Sequence, residues 1–560
     1  MTLPSWATGL HHDGSDAYVA DPYPTLDQTV MLTLRVPLGA PLQSLAVRTE
    51  PDGEAHHTPM HLYRQDAVSG FWQVELKITQ PRNHYRFRLL TETTAYWYNA
   101  LGLSRVDGPD AYDFKLLANY AAPHWVNQAV FYQIFPDRFY QGDATLLPQP
   151  GAWTNDGHSV QVRAWGEPPL THQEGGNLDF FGGDLPGITQ KLDYLSDLGV
   201  TALYLTPIFS SPSNHRYNID DFYNVDAHLG GNDALVALRQ GLDAHAMRLI
   251  LDITPNHVSS LNPWFTEAQR DPNAPTAEYF TFQQRPNHYS SWLGVKSLPK
   301  LNYGSLALRQ TMYAAPDSII RHWLKPPYRI DGWRLDVANM TGRQGATQQL
   351  SYKVKRGIRH AVKAENPEAY LIGENFFDST SYLQGDSLDG IQNYQGFMIP
   401  VLRWLSGLNP ETLPPDIKPL ETDALAEYFA AYRTALPWAI ANQQLNLLGS
   451  HDTPRILSVV HGDVALAQVG VGLLMTYPGV PCIYYGDEIG MLGMRDPDNR
   501  RTMPWDESQW NHDLRAYYQR LIALRRGSHA LQSGGYQQLE AAGERFVYQR
   551  QSSQQRLIIV

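Results

Sequence analysis

Alternating apolar and polar positions dominate the first part of the chain. The stretches "TVMLTLRV", "FWQVELKI" and "HYRFRLLTE" follow this alternation, and turns containing Pro and Gly separate them. A period of two places all apolar side chains of a strand on one face, as in strands that pack sheet against sheet. The pattern therefore predicts an N-terminal β-sandwich over residues 1–122.

From residue 123 the pattern changes to apolar runs that alternate with helical periodicity. The runs include "AVFYQIF", "VTALYLTP", "RLILDITP", "GWRLDV", "AYLIGEN", "LNLLGSHD" and "VPCIYYGDE". Strands that are apolar on both faces are typical of a parallel sheet covered by helices. We therefore predict the α/β class and a (β/α)8 TIM barrel over residues 123–527, with the weakest strand pattern, the sixth, near "GIQNYQ".

Three segments depart from this repeat. Residues 258–303 contain Pro, Asn and aromatic residues but no clear helical pattern, which predicts an inserted subdomain after the third strand. The Pro-rich residues 409–421 predict a surface loop. Residues 528–560 return to strand patterns and predict the start of a C-terminal β domain that is either incomplete or unusually short.

Composition excludes several classes of partner. The net charge of −12 disfavours nucleic acid and anionic membranes. No apolar stretch is long enough to cross a bilayer, and the first residues lack the pattern of a secretory leader, so we expect a soluble cytoplasmic protein. The single cysteine, Cys482, lies in an apolar run that predicts a buried core thiol, with a catalytic thiol as the alternative.

Polar residues recur at the ends of the predicted barrel strands. Barrel enzymes place their chemistry at the carboxyl ends of these strands, so we expect such residues to converge there. The third strand ends in "DITPNH", the fourth in "GWRLDV", the fifth in "LIGEN" and the seventh in "LLGSHD". The ionisable candidates are Asp252, His257, Arg334, Asp336, Glu374, His451 and Asp452.

Two of these carboxyl groups have contrasting surroundings. Strand alternation directs Arg334 and Asp336 to the same side, where the guanidinium should lower the pKa of Asp336 and keep it ionised as a nucleophile. Glu374 follows "YLIG", an apolar setting that favours the protonated acid. One charged and one protonated carboxyl are the groups needed to cleave a glycosidic bond.

The two histidines, His257 and His451, have three interpretations: metal ligation, core packing, or hydrogen bonding to sugar hydroxyls. The sequence offers no matching cluster of ligands, so we favour the third. Trp264, Tyr289 and Trp292 in the inserted segment are candidate sugar platforms, although each could equally belong to the core of that segment.

Together the motifs resemble a known family. "DITPNH", "GWRLDV", "IGEN" and "SHD", in this order, are similar to the conserved regions of the α-amylase family of retaining α-glycoside hydrolases. "FYQIFPDRF", "LPKLN" and "GVPCIYYGDEIGM" resemble further motifs of the family over residues 125–527. The β-rich N-terminal residues resemble the module of its neopullulanase, cyclomaltodextrinase and maltodextrin glucosidase branch.

The resemblance implies a role for each candidate residue. Asp336 matches the nucleophile, Glu374 the general acid and base, and Asp452 the third carboxylate. Tyr217 matches a tyrosine that stacks beneath the sugar, with a place in the core as the alternative. Substrate contact or its support is implied for Asp252, His257, Arg334 and His451, although Asp252 could be purely structural.

Some positions depart from the family pattern. Asn218 stands where relatives commonly have Asp, and "GENFF" lacks the residues typical of neopullulanases, which favours maltodextrin glucosidases within the branch. No cofactor is expected to be required. Asp143, Asp184 and the backbone of Gly182 leave room for a calcium site with oxygen ligands.

These expectations combine into a leading hypothesis with alternatives. The chain is expected to hydrolyse α-1,4 bonds of maltooligosaccharides, with cyclodextrins and pullulan as further substrates. Transglycosylation on the same α-glucans uses the same residues and stays open, and a catalytically silent carbohydrate-binding relative is a more distant alternative. The N-terminal sandwich could bind glucan or pair two subunits into a homodimer.

Overall fold

The computed structural model describes residues 4–408 and 418–560, and it confirms the predicted fold class. Most of the Pro-rich loop predicted at 409–421 lies outside the described residues. The N-terminal part forms two antiparallel sheets. One contains Thr29–Pro37, His61–Gln65 and Ser69–Lys77; the other contains Ser44–Thr49, His56–Pro59, Arg82–Leu90, Ala95–Asn99, Gly102–Ser104 and Phe114–Leu117.

The sandwich folds as its alternation predicts. Along Thr29–Pro37 every second side chain is buried, so that Val30, Leu32 and Leu34 face the opposite sheet. Tyr85, Phe87 and Leu89 of the other sheet share the same core. Burial of these two apolar faces against each other holds the domain together.

Eight parallel strands, β1 to β8 in chain order, form the barrel of the central part. Their spatial order is sequential, with β8 beside β1, and an isolated bridge between Gln392 and Leu445 joins β6 to β7. The sixth strand lies where the sequence predicts it. The strands are β1 (Phe131–Ile134), β2 (Ala202–Leu205), β3 (Arg248–Ile253), β4 (Gly332–Leu335), β5 (Tyr370–Gly373), β6 (Gly390–Ile391), β7 (Leu445–Leu447) and β8 (Val480–Tyr484).

Helices surround the barrel and cover its strands. In Gly231–Ala244, for example, Leu235, Leu238 and Leu242 lie on one face and are buried against the sheet. Because helices cover the outside and side chains fill the inside, nearly every strand position is buried. The other helices include Leu185–Gln190, Leu192–Leu198, Ile319–His322, Ser351–Glu365, Ile399–Ser406, Thr422–Thr434, Trp438–Ala441, Ile456–Val459, Val464–Thr476 and His512–Arg526.

The segment inserted after β3 contains a helix, although the sequence shows no clear helical pattern there. The helix, Pro263–Arg270, is only eight residues long and buries only Phe265 and Ala268, too few for a visible periodicity. Asn262 caps its N-terminus through a hydrogen bond from the Trp264 amide to Oδ1 (2.9 Å).

A three-stranded antiparallel sheet ends the described chain. It contains Gly535–Ala542, Arg545–Gln551 and Arg556–Ile559, the first of which the sequence pattern missed. None of the helices within residues 4–408 and 418–560 is long and apolar enough to span a membrane.

Buried polar contacts attach the sandwich to the barrel. The Tyr120 hydroxyl donates to Asp389 Oδ1 (2.8 Å), and the Lys115 ammonium donates to the Ala435 carbonyl (2.9 Å). Asp389 also accepts from Arg359 (2.5 Å). These contacts fix the sandwich beside the helices and leave the carboxyl ends of the strands accessible.

Candidate active site

The strand ends converge on one cleft, as the sequence predicts. The cleft has a volume of about 340 Å³ and contains three of the predicted carboxyl groups, those of Asp336, Glu374 and Asp452. Tyr217 and His257 also line it, whereas Asp252, Arg334 and His451 lie directly beneath and are almost fully buried. The structure therefore brings all eight predicted residues together in two layers.

Arg334 is the centre of the lower layer. This fully buried guanidinium donates to Asp336 Oδ1 (2.9 Å) and to Asp252 Oδ1 (3.0 Å), and its NH2 lies 3.1 Å from Glu374 Oε2. Its Nε donates to Gln392 Oε1 (2.9 Å). A single cation thus contacts three carboxyl groups, two of which face the cleft.

Because one cation serves three carboxyl groups, the protonation expected from the sequence is only partly supported. Burial and the neighbouring Glu374 carboxylate raise the pKa of Asp336 well above its usual value, and the attraction of Arg334 only partly opposes them. Arg334 does lower this pKa, as expected, but the other two effects outweigh it, so the expectation that Asp336 has a low pKa is wrong for the protein without substrate. The sequence indicated the sign of the effect of Arg334 on the pKa of Asp336, but it did not reveal how deeply Asp336 is buried.

Backbone strain lies next to Asp336. Val337 adopts φ 44°, a left-handed conformation that is unfavourable for a β-branched residue. In this conformation its amide donates to Glu374 Oε2 (2.8 Å). The strained residue thus helps to hold Glu374 beside Asp336.

A hydrogen-bonded chain positions Tyr217 and His451. The Tyr217 hydroxyl donates to Asp252 Oδ2 (2.8 Å) and lies 2.6 Å from His451 Nε2. The Gln133 amide nitrogen lies 2.8 Å from His451 Nδ1, and His451 Nε2 lies 3.2 Å from Asp452 Oδ2. Burial and nearby cations lower the pKa of His451 well below its usual value, so the ring is neutral.

Asp252 supports the site from below. It accepts hydrogen bonds from the hydroxyls of Tyr204 and Tyr217 (both 2.8 Å) in addition to the bond from Arg334. Its side chain is fully buried, and burial raises its pKa to about 6. This position favours the supporting role over direct contact with a ligand.

Asp452 faces the cleft beside a cation that sequence reasoning missed. Arg500 NH2 lies 3.4 Å from Asp452 Oδ1, and Arg500 Nε donates to the His451 carbonyl (2.9 Å). Burial and the Glu374 charge raise the pKa of Asp452 to about 7, and Arg500 opposes this shift. Gln133 and Gln392 were also missed, because a lone glutamine on a strand carries no chemical signal.

His257 lines the cleft from the end of β3. Its Nδ1 lies 3.1 Å from the Asn256 side-chain nitrogen, and burial lowers its pKa to about 4. Trp292 of the inserted segment packs near the His257 ring, with ring centroids 5.8 Å apart, and also lines the cleft. Of the three aromatic candidates in that segment, Trp292 alone has the position of a platform.

The other two aromatic candidates belong to the core of the inserted segment. Trp264 stacks on Phe222 with centroids 5.6 Å apart, and Tyr289 packs against Phe265 with centroids 4.7 Å apart. Asn218, the departure from the family pattern, lines the cleft and accepts a hydrogen bond from Ser211 Oγ (2.7 Å).

The two carboxylates considered for calcium, those of Asp143 and Asp184, are used by amide groups. Asp184 accepts hydrogen bonds from the backbone amides of Gly142 (3.1 Å), Asp143 (2.8 Å) and Gly187 (2.6 Å), and Asp143 Oδ1 accepts from the Thr145 amide (2.9 Å). Amide hydrogens aimed at a carboxylate occupy the space of a cation, so these residues do not fit calcium.

Other metal chemistry has no visible ligand set in the described part of the chain. Residues 4–408 and 418–560 contain no group of three or more His, Cys, Asp or Glu side chains arranged to hold a metal ion. Cys482 is buried in the barrel core, and burial raises its pKa, which agrees with the interpretation as a core thiol.

Comparison with known proteins identifies the family. Residues 133–523 match the model of the α-amylase catalytic domain, and residues 11–118 match that of the α-amylase N-terminal Ig-like domain. The chain belongs to the α-amylase family of glycoside hydrolases. The family predicted from the strand-end motifs is therefore confirmed.

The relatives also confirm the predicted branch of the α-amylase family. A cyclomaltodextrinase of Geobacillus thermopakistaniensis is 33% identical over 90% of this chain and 81% of its own length. Neopullulanase 2 of Thermoactinomyces vulgaris is 29% identical over 96% of this chain and 88% of its own length. The preference for maltodextrin glucosidases within this branch stays a prediction.

Solved structures agree with this family assignment. A cyclomaltodextrinase structure superposes with a TM-score of 0.72 at 27% identity, covering 99% of this chain and 91% of the other. A cyclic α-maltosyl-(1→6)-maltose hydrolase from Arthrobacter globiformis, in complex with that sugar, gives a TM-score of 0.69 at 32% identity, covering 78% of this chain and 91% of the other.

Proposed function

We propose that this protein hydrolyses α-1,4-glucosidic bonds of maltooligosaccharides with retention of configuration, through a covalent glycosyl-enzyme intermediate. One observation carries the proposal: Asp336 and Glu374 both line the cleft and are joined by one guanidinium, that of Arg334. Two carboxyl groups held close to one point are the requirement of a double displacement. The names of relatives, cyclomaltodextrinase and neopullulanase, support α-glucans as the substrate class.

Each side chain has one task in this mechanism. Glu374 gives its proton to the glycosidic oxygen while Asp336 attacks the anomeric carbon; Glu374 then takes a proton from the water that releases the sugar. The ring of Tyr217 lies in the cleft as a platform for the sugar. Asp452 accepts hydrogen bonds from hydroxyl groups of that sugar, and His257 acts as a neutral partner of hydroxyl groups. His451, buried beneath the cleft and neutral, positions Tyr217 and Asp452.

The pair must hold one proton, and the substrate determines where it resides. In the free protein, burial and mutual repulsion raise the pKa of Asp336. In the complex with substrate, the electron-poor anomeric carbon favours ionised Asp336, so Glu374 holds the proton until it passes to the leaving oxygen as positive charge develops on the sugar. The proton distribution needed for catalysis is thus completed in the complex with substrate.

The test combines stereochemistry with substitution of the acid. Proton NMR during maltotriose hydrolysis should show the α-anomer as the first product, since two displacements retain configuration. Glu374→Gln should lose activity, and Glu421→Gln, a change at an exposed carboxyl that pairs with Lys418, should not. A β-anomer, or an unchanged rate in Glu374→Gln, contradicts the mechanism; inactivity on every α-glucan favours a silent binding protein.

Transglycosylation is a second function that one observation favours. Trp292, Val295 and Leu298 line the cleft and give it an apolar portion suited to hold a second sugar rather than water. Rising maltotriose concentration should then yield products longer than the substrate. Only shorter products at all concentrations would leave hydrolysis as the sole activity.

We also propose that catalysis needs no metal ion, since protein side chains supply the nucleophile, the acid and the stabilising charges.

We further propose a cytoplasmic homodimer. Two edge strands of the sandwich, His56–Pro59 in one sheet and His61–Gln65 in the other, are exposed at every position, which suits pairing with a second copy. A relative from Bacillus subtilis is named an intracellular maltogenic amylase. The mass in solution and cell fractionation test these two points.

A further inference from the structure

The two ends of the cleft differ, and the proposed roles of Glu374 and Asp452 indicate which part of the substrate each end would hold. Glu374, as the acid, lies toward the leaving group. From Asp452, which holds the attacked sugar, a line of ion pairs leads away: Arg500 NH2 lies 3.4 Å from Asp452, Arg500 NH1 lies 2.8 Å from Asp496 Oδ1, and His172 Nε2 lies 3.3 Å from Asp496 Oδ2. With Glu374 on the leaving-group side, the proposed roles assign this line of ion pairs to the donor side, where the non-reducing end of the substrate would lie.

A hairpin of the loop after β1 reaches the donor side. Thr154–Asn155 pairs with His158–Ser159, and the turn residues Asp156 and Gly157 have positive φ values of 47° and 82°. Asn155 and Asp156, near the tip, line the same cleft as the catalytic carboxyl groups. The hairpin is therefore placed to limit the space for a bound chain.

The hairpin is fixed to both neighbouring loops. On one side the Trp153 indole donates to the Pro212 carbonyl (2.8 Å) in the loop after β2, which also supplies Tyr217. On the other, His172 of the same β1 loop pairs with Asp496 of the loop after β8 (3.3 Å). Three consecutive loops, after β8, β1 and β2, thus join around the donor end.

The loop after β1 is also packed internally. Val160, Leu178 and Phe180 form a small buried cluster of their own, with Trp153 packed against it. A side chain added at Gly175 would lie 3.0 Å from His158, so the hairpin and the turn that carries His172 are in close contact. Such packing makes the donor end a fixed boundary.

The opposite end is different in character. Trp292 and Leu298 line it, and Leu293 and Val295 are exposed apolar side chains beside it, at 69% and 39% exposure. No equivalent ion pair closes this end among the described residues. An open apolar surface suits a long glucan chain on the leaving-group side.

We propose that Asn155, Asp156, His172 and Asp496, here called the donor wall, end the donor side after the second glucosyl unit. The Arg500 side chain contacts both Asp452, at the attacked sugar, and Asp496 in the wall, so the wall begins one side chain beyond that sugar. On this basis the proposed limit is one further unit. The enzyme then trims linear maltodextrins from the non-reducing end and releases glucose and maltose. Cyclodextrins, which have no end, fit poorly. This inference rests on the proposed function.

The first test follows a label on the substrate. Maltoheptaose tagged with 2-aminobenzamide at its reducing end is digested to a few per cent by the wild-type protein, and the tagged products are separated. The donor wall predicts that the first tagged products are chains of five or six units. Tagged chains of four units or fewer among the first products overturn the donor wall while leaving hydrolysis intact; absence of hydrolysis overturns the proposed function itself.

The second test opens the wall. His172→Ala removes the pair with Asp496 and should relax a steric limit. The share of maltotriose and longer chains among the released products should rise about tenfold. The rate on β-cyclodextrin relative to that on maltotriose should rise by a similar factor. His245→Ala is the matched control, because His245 pairs with Asp193 (3.0 Å) on the surface and does not line the cleft.

A second variant guards against a local rearrangement in His172→Ala. Replacement of residues 155–158 by Gly-Gly shortens the hairpin and leaves the pair between His172 and Asp496 in place. It should shift products in the same direction. If both variants release the same products as the wild type and as His245→Ala, the donor wall does not set product length and the inference is wrong.

Discussion

The buried guanidinium of Arg334 is the residue on which the charge balance of the site depends. It contacts Asp252, Asp336 and Glu374, and no second cation lies within ion-pair distance of these three among the described residues. Burial and repulsion from Glu374 raise the pKa of Asp336, and this one cation does not offset them. The site therefore keeps its nucleophile at the expense of stability.

Asp336→Asn should separate activity from stability. Activity on maltotriose should fall by about 10⁴-fold or more, as expected for loss of a nucleophile. Because the folded protein raises the pKa of Asp336 above its unfolded value of 3.8, wild-type stability is lost as pH rises through the folded pKa. The Asn variant lacks this penalty, so its melting temperature should exceed that of the wild type at pH 8 and approach it at pH 4. A lower melting temperature at pH 8 contradicts this account.

Arg500→Met should move the pH profile. The guanidinium of Arg500 opposes the rise in the pKa of Asp452, which stands at about 7. Without it the pKa of Asp452 rises further, so the acidic limb of kcat/KM should shift to higher pH. Arg500→Lys, which keeps the charge, should shift it less. Equal profiles for the two variants would show that charge is not what Arg500 contributes.

The sequence predicted the ionisable residues of the site better than their partners. Asp336, Glu374 and Asp452 lie at strand ends, where residue type and position both indicate chemistry. Arg500 comes from a loop after β8, whose path depends on tertiary contacts that no local pattern specifies. The left-handed conformation of Val337 was equally invisible, because nothing in a valine indicates it.

At the scale of elements, the strands and the position of the inserted segment could be predicted, whereas the helix within that segment could not. A strand such as β4 is buried at every position, so its composition alone identifies it. The helix Pro263–Arg270 depends instead on its cap, Asn262, which also donates to the Asp220 carbonyl (2.8 Å) in the loop after β2. One side chain thus fixes the insertion against the loop that carries Tyr217.

Asn262→Ala should therefore destabilise the protein and impair the site. Loss of the cap and of a buried hydrogen bond should reduce the free energy of unfolding by about 2–3 kcal/mol. Displacement of Trp292 should also lower kcat/KM. Asp463→Ala is the control: it removes a cap from the helix Val464–Thr476 outside the cleft and should cost about 1 kcal/mol with kcat/KM unchanged. Denaturant unfolding and kinetics compare the two; equal effects on kcat/KM refute the special role of Asn262.

At the scale of the whole molecule, the order of domains follows from changes of pattern along the chain. Alternation, then apolar runs with helices, then alternation again predicted a sandwich, a barrel and a final sheet. The strand Gly535–Ala542 was missed because its polar residues, Gln537, Gln538 and Glu540, do not alternate with apolar ones. The contacts between sandwich and barrel, such as Tyr120 with Asp389, join positions far apart in sequence and leave no local signal.

Removal of calcium should leave the whole molecule unchanged. Asp184 already accepts hydrogen bonds from the amides of Gly142, Asp143 and Gly187, so no cation is needed to neutralise it. Dialysis against EDTA should therefore alter neither the melting temperature nor the activity on maltotriose. A fall in melting temperature that calcium reverses and magnesium does not would contradict this expectation.

Gln392 serves two purposes that are usually separate. Its backbone bridges to Leu445 and completes the ring of strands, and its side chain accepts from Arg334 Nε. If thermal fluctuation parts β6 from β7, the guanidinium loses a tether before the rest of the protein unfolds. On slow heating, catalysis should fade several degrees before the tryptophan fluorescence changes. The bridge that closes the barrel therefore also holds the catalytic guanidinium in place, so opening of this bridge should abolish activity before the rest of the fold is lost.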